Sequence, residues 1–347
     1  MAVIDRFGRP VLGLRISLTP SSKCNFNCVF CHKEGIYEEP DTLMTPEEIE
    51  RVVRILMGFD VRLVKLTGGE PMLRNDILEI VGRLGRLGLR DLSMTTNGTR
   101  FPRLAKELRR RGLMRVNMSL HSVDPRKYCW IITGTDVEGG VKRYEYTVEA
   151  IRSAVEAGLR PVKLNVVIMR GINDDEIDRF IEFTGEMGGG EKVMLQLIEL
   201  VPEGEASEGE FFRKYYYSLG EVEKRLEKEA ERIVVRTLHM RRQYLLPTGV
   251  WVELVRPSKN CDFCMNNTRM RITYDGKFKP CLMRDDNHVD FLTAMRRGAS
   301  DDEIRELFLR AVWVREPFWK PPKLAPGPTI SFTDPAQEAL LSQPKGF

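Results

Sequence analysis

Residues 14–32 read LRISLTPSSKCNFNCVFCH and place three cysteines directly after a short apolar strand, with the spacing Cys24-x3-Cys28-x2-Cys31. Ligands of α/β folds bind beyond the carboxyl ends of the parallel strands, so this loop is well placed to hold a metal group. Three thiolates in one loop can bind a [4Fe–4S] cluster and leave one iron open to a small molecule. A zinc ion held by these thiolates and His32 is the alternative, although zinc ribbons usually carry two C-x2-C pairs.

Six β-branched runs alternate with amphipathic helical stretches between residue 14 and about residue 201. Strands separated by helices pair in parallel through right-handed crossovers, which predicts an α/β fold with either an open sheet or a partial barrel. One helix start is explicit, because Thr45-Pro46-Glu47-Glu48 combines a capping box with proline at the first helical position. The predicted strands are 14–19, 62–67, 92–97, 115–120, 161–169 and 193–201.

The chain is expected to have three parts, with boundaries at residues 1–205, 206–314 and 315–347. The first is the βα unit, and the acidic stretch 202–210 is a predicted linker. The second is an α+β extension with a charged helix at 220–232, a helix at 301–314 and a second cysteine group. The third is rich in proline and is expected to be irregular.

Composition limits the classes of protein that this chain can belong to. Its 347 residues carry 54 Lys+Arg and 50 Asp+Glu, a net charge of +4 that is too small to indicate a stable nucleic-acid partner. The sequence has no apolar run of membrane-spanning length, so neither a membrane partner nor a membrane span is expected. Six of the seven cysteines fall into two tight groups, which favours metal ligands in a reducing compartment, and we expect a cytoplasmic protein.

The cysteine loop resembles the signature of the radical S-adenosylmethionine (SAM) superfamily, which has C-x3-C-x2-C with an aromatic residue, here Phe30, before the last cysteine. Thr67-Gly68-Gly69-Glu70-Pro71, after the second strand, is similar to the GGEP motif of that superfamily, where glycine lets the backbone approach the methionine amino group of SAM. The resemblance implies a partial (βα)6 barrel that resembles a TIM barrel. It also implies reductive cleavage of SAM to a 5′-deoxyadenosyl radical.

Further motifs narrow the resemblance to one family within the superfamily. TTNG, RVNMSLHS, KLNVVIMRGINDDE and TRMRITYDGKFKPCLMRDD resemble, in the same order, the cyclases of molybdenum-cofactor biosynthesis, especially their archaeal forms. The similarity covers roughly residues 5–295. It implies 3′,8-cyclisation of GTP, in which the adenosyl radical removes a ribose hydrogen and the carbon radical attacks the guanine. It also implies two [4Fe–4S] clusters and an electron donor, and a homodimer is left open.

The resemblance assigns roles to individual residues. Cys24, Cys28 and Cys31 match the ligands of the first cluster. The SAM contacts are matched by Phe30, Gly69, Ser119 and Val201. The GTP contacts are matched by Arg15, Lys65, Thr95, Lys163 and the R-x-R stretch Arg269-Met270-Arg271, in which the two arginines are the expected catalytic residues. Cys261, Cys264 and Cys281 are assigned to the second cluster.

The chemistry of a nucleotide agrees with these assignments. A triphosphate, with about four negative charges, needs several converging cations, and arginine offers paired donors to phosphate. Arg269 and Arg271 are alternate residues of a predicted strand and should face the same way. The hydroxyls of Thr95 and Ser119 could instead satisfy loop backbone groups. His121, His239 and His288 show no partner in the sequence and are expected to be structural, as is Cys129, a small buried residue.

Three departures from the family pattern are visible. The family spaces its second group as C-x2-C-x13-C, which puts the middle cysteine at Asn267, whereas this chain has an additional Cys261 upstream. The family ends in Gly-Gly, whereas this chain ends Lys345-Gly346-Phe347. The loop before Cys24 is lengthened by Pro20-Ser21-Ser22.

The altered second group leaves three readings open. The first is the GTP cyclase with a cluster in a shifted register. The second is a radical SAM paralogue that acts on a peptide or another nucleotide. The third is a zinc-dependent binding module, in which Asp262 or His288 completes the site.

Overall fold

The structure is a computed structural model that describes residues 1–36, 42–135, 140–202 and 209–320. Most of the predicted linker, residues 203–208, and most of the predicted Pro-rich tail, residues 321–347, lie outside the described residues. Among the residues that are described, no helix is both long enough and apolar enough to span a membrane.

Fourteen strands and eleven α-helices make up the described part of the chain. The strands are β1 (Val3–Ile4), β2 (Pro10–Val11), β3 (Gly13–Ser17), β4 (Leu63–Thr67), β5 (Asp91–Thr96), β6 (Arg115–Ser119), β7 (Val162–Ile168), β8 (Val193–Glu199), β9 (Arg232–Val235), β10 (Arg242–Leu245), β11 (Trp251–Val255), β12 (Arg269–Ile272), β13 (Lys277–Lys279) and β14 (Val289–Asp290). The helices are α1 (Pro46–Leu56), α2 (Ile77–Gly85), α3 (Phe101–Arg110), α4 (Pro125–Thr133), α5 (Gly140–Glu156), α6 (Ile177–Glu186), α7 (Glu210–Tyr215), α8 (Gly220–Glu229), α9 (Cys261–Met265), α10 (Leu292–Arg296) and α11 (Asp301–Trp313).

Twelve of the strands form one sheet in the order β14-β13-β12-β3-β4-β5-β6-β7-β8-β11-β10-β9. The six strands from β3 to β8 pair in parallel with their sequence neighbours, as the βα alternation predicts. The expected α/β fold with a central parallel sheet is therefore confirmed. Each end of the six predicted strands lies within two residues of the observed end.

The C-terminal part adds one parallel strand to each edge of this six-stranded unit. β12 pairs in parallel with β3, and β11 pairs in parallel with β8. The strands beyond them are antiparallel. A division of the chain at residue 205 remains a prediction, and the sheet itself continues across that point.

Local sequence explains where the helices begin and end. At the start of α1, the Thr45 hydroxyl accepts from the backbone N–H of Glu48 at 3.2 Å, and the Glu48 carboxylate accepts from Thr45 N–H at 2.8 Å. This is the predicted capping box, and it satisfies two backbone donors that no helical carbonyl can reach. The helix predicted at 220–232 ends at Glu229, because Ala230 is extended and the chain enters β9.

The hydrophobic core lies where the apolar residues of the sheet meet the helices. Ile16, Val64, Leu92, Val116 and Leu164, one from each of five adjacent strands, are fully buried in one cluster. Because the strands are parallel, their carboxyl ends lie along one edge of the sheet, and the loops at that edge carry the polar residues described next.

Candidate active site

A cavity of about 380 Å³ lies at the carboxyl ends of the parallel strands. Cys24, Cys28 and Cys31 line one part of it, and Cys264 and Cys281 line another. The two cysteine groups, far apart in sequence, therefore border the same space. Cys261 is not among the lining residues, whereas Asn267 is.

The first cysteine loop is anchored to the end of α4. The backbone N–H of Asn27 donates to the Ile132 carbonyl at 2.9 Å, and the N–H of Val29 donates to the Ile131 carbonyl at 3.0 Å. Phe26 N–H also donates to the Cys24 sulfur at 3.5 Å, a contact that favours a thiolate. Two backbone hydrogen bonds therefore join this loop to the last turn of α4.

Burial makes these thiols poor acids by themselves. It raises the pKa of Cys24 to about 11 and moves the pKa of Cys28 further above its ordinary value, where the Cys31 thiolate would also oppose ionisation. Three buried thiolates need a positive centre, and an iron–sulfur cluster supplies one, so the donor set fits such a cluster. In the described part of the chain, no three His, Cys, Asp or Glu side chains are arranged to hold a single ion.

Gly68 and Gly69 are required by the packing of the chain against this loop. A Cβ on Gly69 would lie 2.4 Å from the Pro20 carbonyl oxygen and 3.3 Å from the Cys24 Cβ. Gly68 has φ +138°, a conformation that side chains disfavour. The glycine pair thus allows the end of β4 to approach the cysteine loop. Its contact with SAM stays a prediction.

Glu70, the acidic residue of the same motif, is buried and hydrogen bonded. Its carboxylate accepts from the Thr96 hydroxyl at 2.6 Å, the Asn97 N–H at 2.7 Å and the Met72 N–H at 2.9 Å. Burial raises the pKa of Glu70 to about 7 in spite of these donors. Glu70 therefore ties the ends of β4 and β5 together beside the cysteine loop.

All four residues expected to contact SAM lie on the cavity wall: Phe30, Gly69, Ser119 and Val201. Phe30 packs edge-on against His121, with ring centroids 4.5 Å apart. The Nδ1 atom of His121 accepts from the Val167 N–H at 3.1 Å, and His121 also lines the cavity, so its structural role stays a prediction. The wall near the cysteine loop is thus partly aromatic and stiffened by backbone contacts.

Most of the residues expected to contact GTP also line the cavity. Arg15, Lys65, Thr95, Lys163, Arg269 and Arg271 do so, whereas the Met270 side chain is buried in the core. Arg269 and Arg271 share one face of β12 and Met270 occupies the other, as strand alternation requires. Within the described part of the chain, the Thr95 hydroxyl is buried and no protein group hydrogen bonds to it, so it does not serve the loop backbone there.

Glu34, which the motifs do not single out, holds two of the expected substrate-binding arginines. Its carboxylate accepts from Arg15 Nη2 at 2.6 Å and Nε at 3.0 Å, and it also pairs with Arg271 Nη1. Burial alone would raise the pKa of Glu34, but the two guanidinium groups outweigh it and hold the pKa well below its ordinary value. A loop residue next to the first cysteine group therefore aligns cations from β3 and β12.

A second acidic centre, Glu253 on β11, pairs with three cations of the cavity wall and does not itself line the cavity. Lys163 Nζ lies 2.6 Å from its carboxylate, Arg241 Nη1 2.8 Å and Arg236 Nη1 3.2 Å. Lys163 is expected from the sequence, but neither arginine is. Arg236 and Arg241 flank the β9–β10 turn, and charged residues in a hairpin turn are usually expected to face solvent at the edge of a sheet.

His239 and Asn267 occupy the wall beside the second cysteine group. The His239 Nε2 atom and the Asn267 Oδ1 atom are 3.2 Å apart, and the His239 ring stacks on Phe263 with centroids 3.8 Å apart. His239 also lines the cavity, and its contact with Asn267 is one that was not apparent from the sequence. His288, in contrast, is not among the lining residues and contacts Lys279 Nζ at 3.1 Å.

Sequence families agree with this geometry. Residues 18–184 match the family described as Radical SAM superfamily, and residues 193–321 match the family described as Molybdenum Cofactor Synthesis C. The fold and the site thus define a radical SAM enzyme.

Curated relatives identify the family more closely. A probable GTP 3',8-cyclase of Thermococcus kodakarensis is 51% identical over 319 residues, which cover 91% of this chain and 99% of the relative. A probable GTP 3',8-cyclase of Pyrococcus abyssi is 48% identical over 320 residues, covering 91% of this chain and 99% of the relative. The chain belongs to the GTP 3',8-cyclase family.

A solved structure supports the fold alone. The chain superposes on the structure titled "Native anSMEcpe with bound AdoMet" with a TM-score of 0.54 and 19% identity. The match covers 85% of this chain and 80% of that one.

Proposed function

We propose that this chain cyclises GTP to (8S)-3′,8-cyclo-7,8-dihydroguanosine 5′-triphosphate, the first step of molybdenum-cofactor biosynthesis. The observation that carries the proposal is that one cavity is lined both by Cys24, Cys28 and Cys31 and by the cations of β3, β4, β7 and β12. A cluster loop and an anion site in one cavity would bring a radical source to a nucleotide. The relatives at about half identity, named for this activity, support the same conclusion.

Cys24, Cys28 and Cys31 would hold the first [4Fe–4S] cluster, and Phe30, Gly69, Ser119 and Val201 would contact SAM. When bound, the cluster and SAM supply one electron and the 5′-deoxyadenosyl radical that starts the reaction. The aromatic and buried wall near this loop would exclude water from the radical. That exclusion protects a reactive species from side reactions.

Arg269 would bind the substrate without competition from a protein carboxylate. None of the ion pairs among the described residues involves Arg269, and burial, with Arg241 next in effect, lowers its pKa well below the ordinary value. A bound phosphate would relieve this strain between like charges. Arg15 and Arg271, aligned by Glu34, would supply further donors.

We propose a second cluster held by Cys261, Cys264 and Cys281. Met283 N–H donates to the Cys281 sulfur at 3.4 Å, and backbone N–H groups of Trp319 and Phe318 favour the Cys264 thiolate. Such donors are typical around cluster sulfurs. Cys261 and Cys264 are three residues apart in α9 and so share one side of its single turn, although only Cys264 reaches the cavity.

The remaining partners follow from the chemistry. The reaction would need an external one-electron donor, and oxygen-sensitive thiolate clusters favour the reducing cytoplasm. A homodimer stays a prediction.

The test is turnover by the anaerobically reconstituted protein with SAM, a reductant and GTP. We expect 5′-deoxyadenosine whose formation depends on GTP, together with the cyclised nucleotide. Cys24→Ala should abolish both products. Cys129→Ala, at a buried cysteine that does not line the cavity, is the matched control and should retain them. Formation of 5′-deoxyadenosine without dependence on GTP, and without cyclised product, would contradict the proposal and favour a paralogue with another substrate.

A further inference from the structure

The charges around Glu253 do not balance. Lys163, Arg236 and Arg241 all pair with this one carboxylate, and the only other side chain bonded to it in the described structure is the neutral Gln243, whose Nε2 donates at 2.5 Å. Three cations therefore share a single negative charge. Glu253 is fully buried, so water does not reach its carboxylate to screen the excess positive charge.

Other arginines of the cavity are compensated differently. Arg115 has its own carboxylate, since its Nε and Nη2 atoms each lie 2.6 Å from an oxygen of Asp91. Such a bidentate pair is neutral and geometrically satisfied. The excess positive charge thus lies near Glu253, at Arg269, which has no carboxylate partner among the described ion pairs, and at Lys65, whose Nζ donates to the neutral Asn117 amide oxygen at 2.6 Å.

The position of Arg236 and Arg241 is fixed by the β9–β10 hairpin. The backbone N–H of Arg236 donates to the carbonyl of Arg241 at 2.8 Å and closes the turn between them. Glu253 lies opposite Gln243 in the neighbouring strand, so it anchors both guanidinium groups from β11. Their side chains are only 30% and 10% exposed, and both residues line the cavity.

We propose that Arg236 and Arg241 bind the polyphosphate of the substrate, with Glu253 as the residue that positions them. This inference rests on the proposed function and deepens it, because it assigns to the β9–β10 hairpin the selection of a nucleoside triphosphate over the nucleoside. A guanidinium pair that shares one carboxylate keeps free N–H donors, and these suit the closely spaced oxygens of adjacent phosphates. Arg269 faces the same space, since its strongest electrostatic neighbours include Arg241, Arg115 and Arg236.

The test is equilibrium binding of inorganic tripolyphosphate, GTP and guanosine to the full chain, reconstituted with its cluster. In the wild type, tripolyphosphate should compete with GTP. Arg236→Gln together with Arg241→Gln should weaken tripolyphosphate and GTP binding at least tenfold and leave guanosine binding unchanged. Arg232→Gln, at an exposed residue of the same hairpin that does not line the cavity, is the matched control. Equal tripolyphosphate affinity in the double variant and the wild type would overturn the assignment.

A conservative variant separates geometry from folding. Arg241→Lys retains the positive charge beside Glu253 and loses the planar guanidinium group. The variant should therefore fold, but it should bind tripolyphosphate several-fold more weakly than the wild type. If both this variant and the double variant bound tripolyphosphate with the affinity of the wild type, the two hairpin arginines would only neutralise Glu253 and would not bind phosphate. The proposed function fails by a different result, namely wild-type protein that binds tripolyphosphate in the cavity and yet does not convert GTP.

Discussion

Replacing Glu34 by glutamine should destabilise the protein strongly, because the carboxylate is the shared partner of two arginines. Glu34 is 7% exposed and accepts from Arg15 at 2.6 and 3.0 Å, from Arg271, and from the Thr67 hydroxyl at 3.2 Å. Glutamine keeps the shape of the side chain and removes its charge, so two largely buried guanidinium groups lose their counter-ion. Removing one partner of a buried ion pair costs about 3–5 kcal/mol. We expect a loss near the lower value, about 3 kcal/mol, because both arginines remain about one-fifth exposed to the cavity.

Urea unfolding of the full chain, followed by circular dichroism under anaerobic conditions, measures this loss directly. Glu79→Gln is the control, since Glu79 is an exposed carboxylate that pairs with Arg83 on the surface, and its unfolding midpoint should stay at the wild-type value. GTP should recover more stability in Glu34→Gln than in the wild type, because it supplies negative charge to Arg15 and Arg271. A Glu34→Gln protein within about 1 kcal/mol of the wild type would refute the argument that this carboxylate is what holds the arginines.

Three further predictions concern the phosphate site, the glycine pair and the second cluster. Burial lowers the pKa of Lys163 to about 7. Because only the protonated lysine attracts phosphate, the affinity for tripolyphosphate should fall as the pH rises from 7 to 9. Isothermal titration should show this dependence in the wild type and its absence in Lys163→Met. Gly69→Ala puts a Cβ 2.4 Å from the Pro20 carbonyl oxygen, so it should lower the free energy of unfolding by about 1–3 kcal/mol and reduce the iron content. The control Gly58→Ala meets no atom within 4 Å and should retain its iron. Equal iron in the two variants would contradict the packing argument. Asn267→Cys restores the family spacing. It should leave the iron content at about eight irons per chain if Cys261 already serves as the third ligand, and raise it if the wild type binds its second cluster incompletely. Elemental analysis with Mössbauer spectroscopy distinguishes these results, and about four irons together with bound zinc would contradict the second cluster.

Much of the fold follows from local sequence. The short apolar-rich runs at residues 62–67 and 115–120, for example, have the length of strands and lie between helical stretches, and the capping box at Thr45 marks the start of α1 without any knowledge of tertiary structure. Arg269 and Arg271 could be placed on one face because a strand alternates its side chains. What these features share is that their cause lies within a few residues of the chain.

The features that sequence could not supply depend on contacts between distant segments. Glu34 follows the cysteine loop and meets Arg271, 237 residues later, only because β12 pairs with β3. The place of β11 and β12 at opposite edges of the six-stranded unit is likewise set by packing, since short strands carry no signal that names their neighbours. His239 lines the cavity for the same reason, because its neighbours there come from distant segments and the sequence shows no partner for it.

The positions of β11 and β12 have a consequence for how such enzymes can change. The cysteine loop and the glycine pair follow β3 and β4, whereas Glu253 and Arg269 come from the two outer strands, one at each edge of the six-stranded unit. Substitutions in β11 and in the β9–β10 hairpin would alter the charge and shape of that side of the cavity without touching the cysteine loop, whereas Arg271 on β12 is joined to the end of that loop through Glu34. The side of the cavity near Glu253 is therefore the part where a change of sequence would disturb the cysteine loop least.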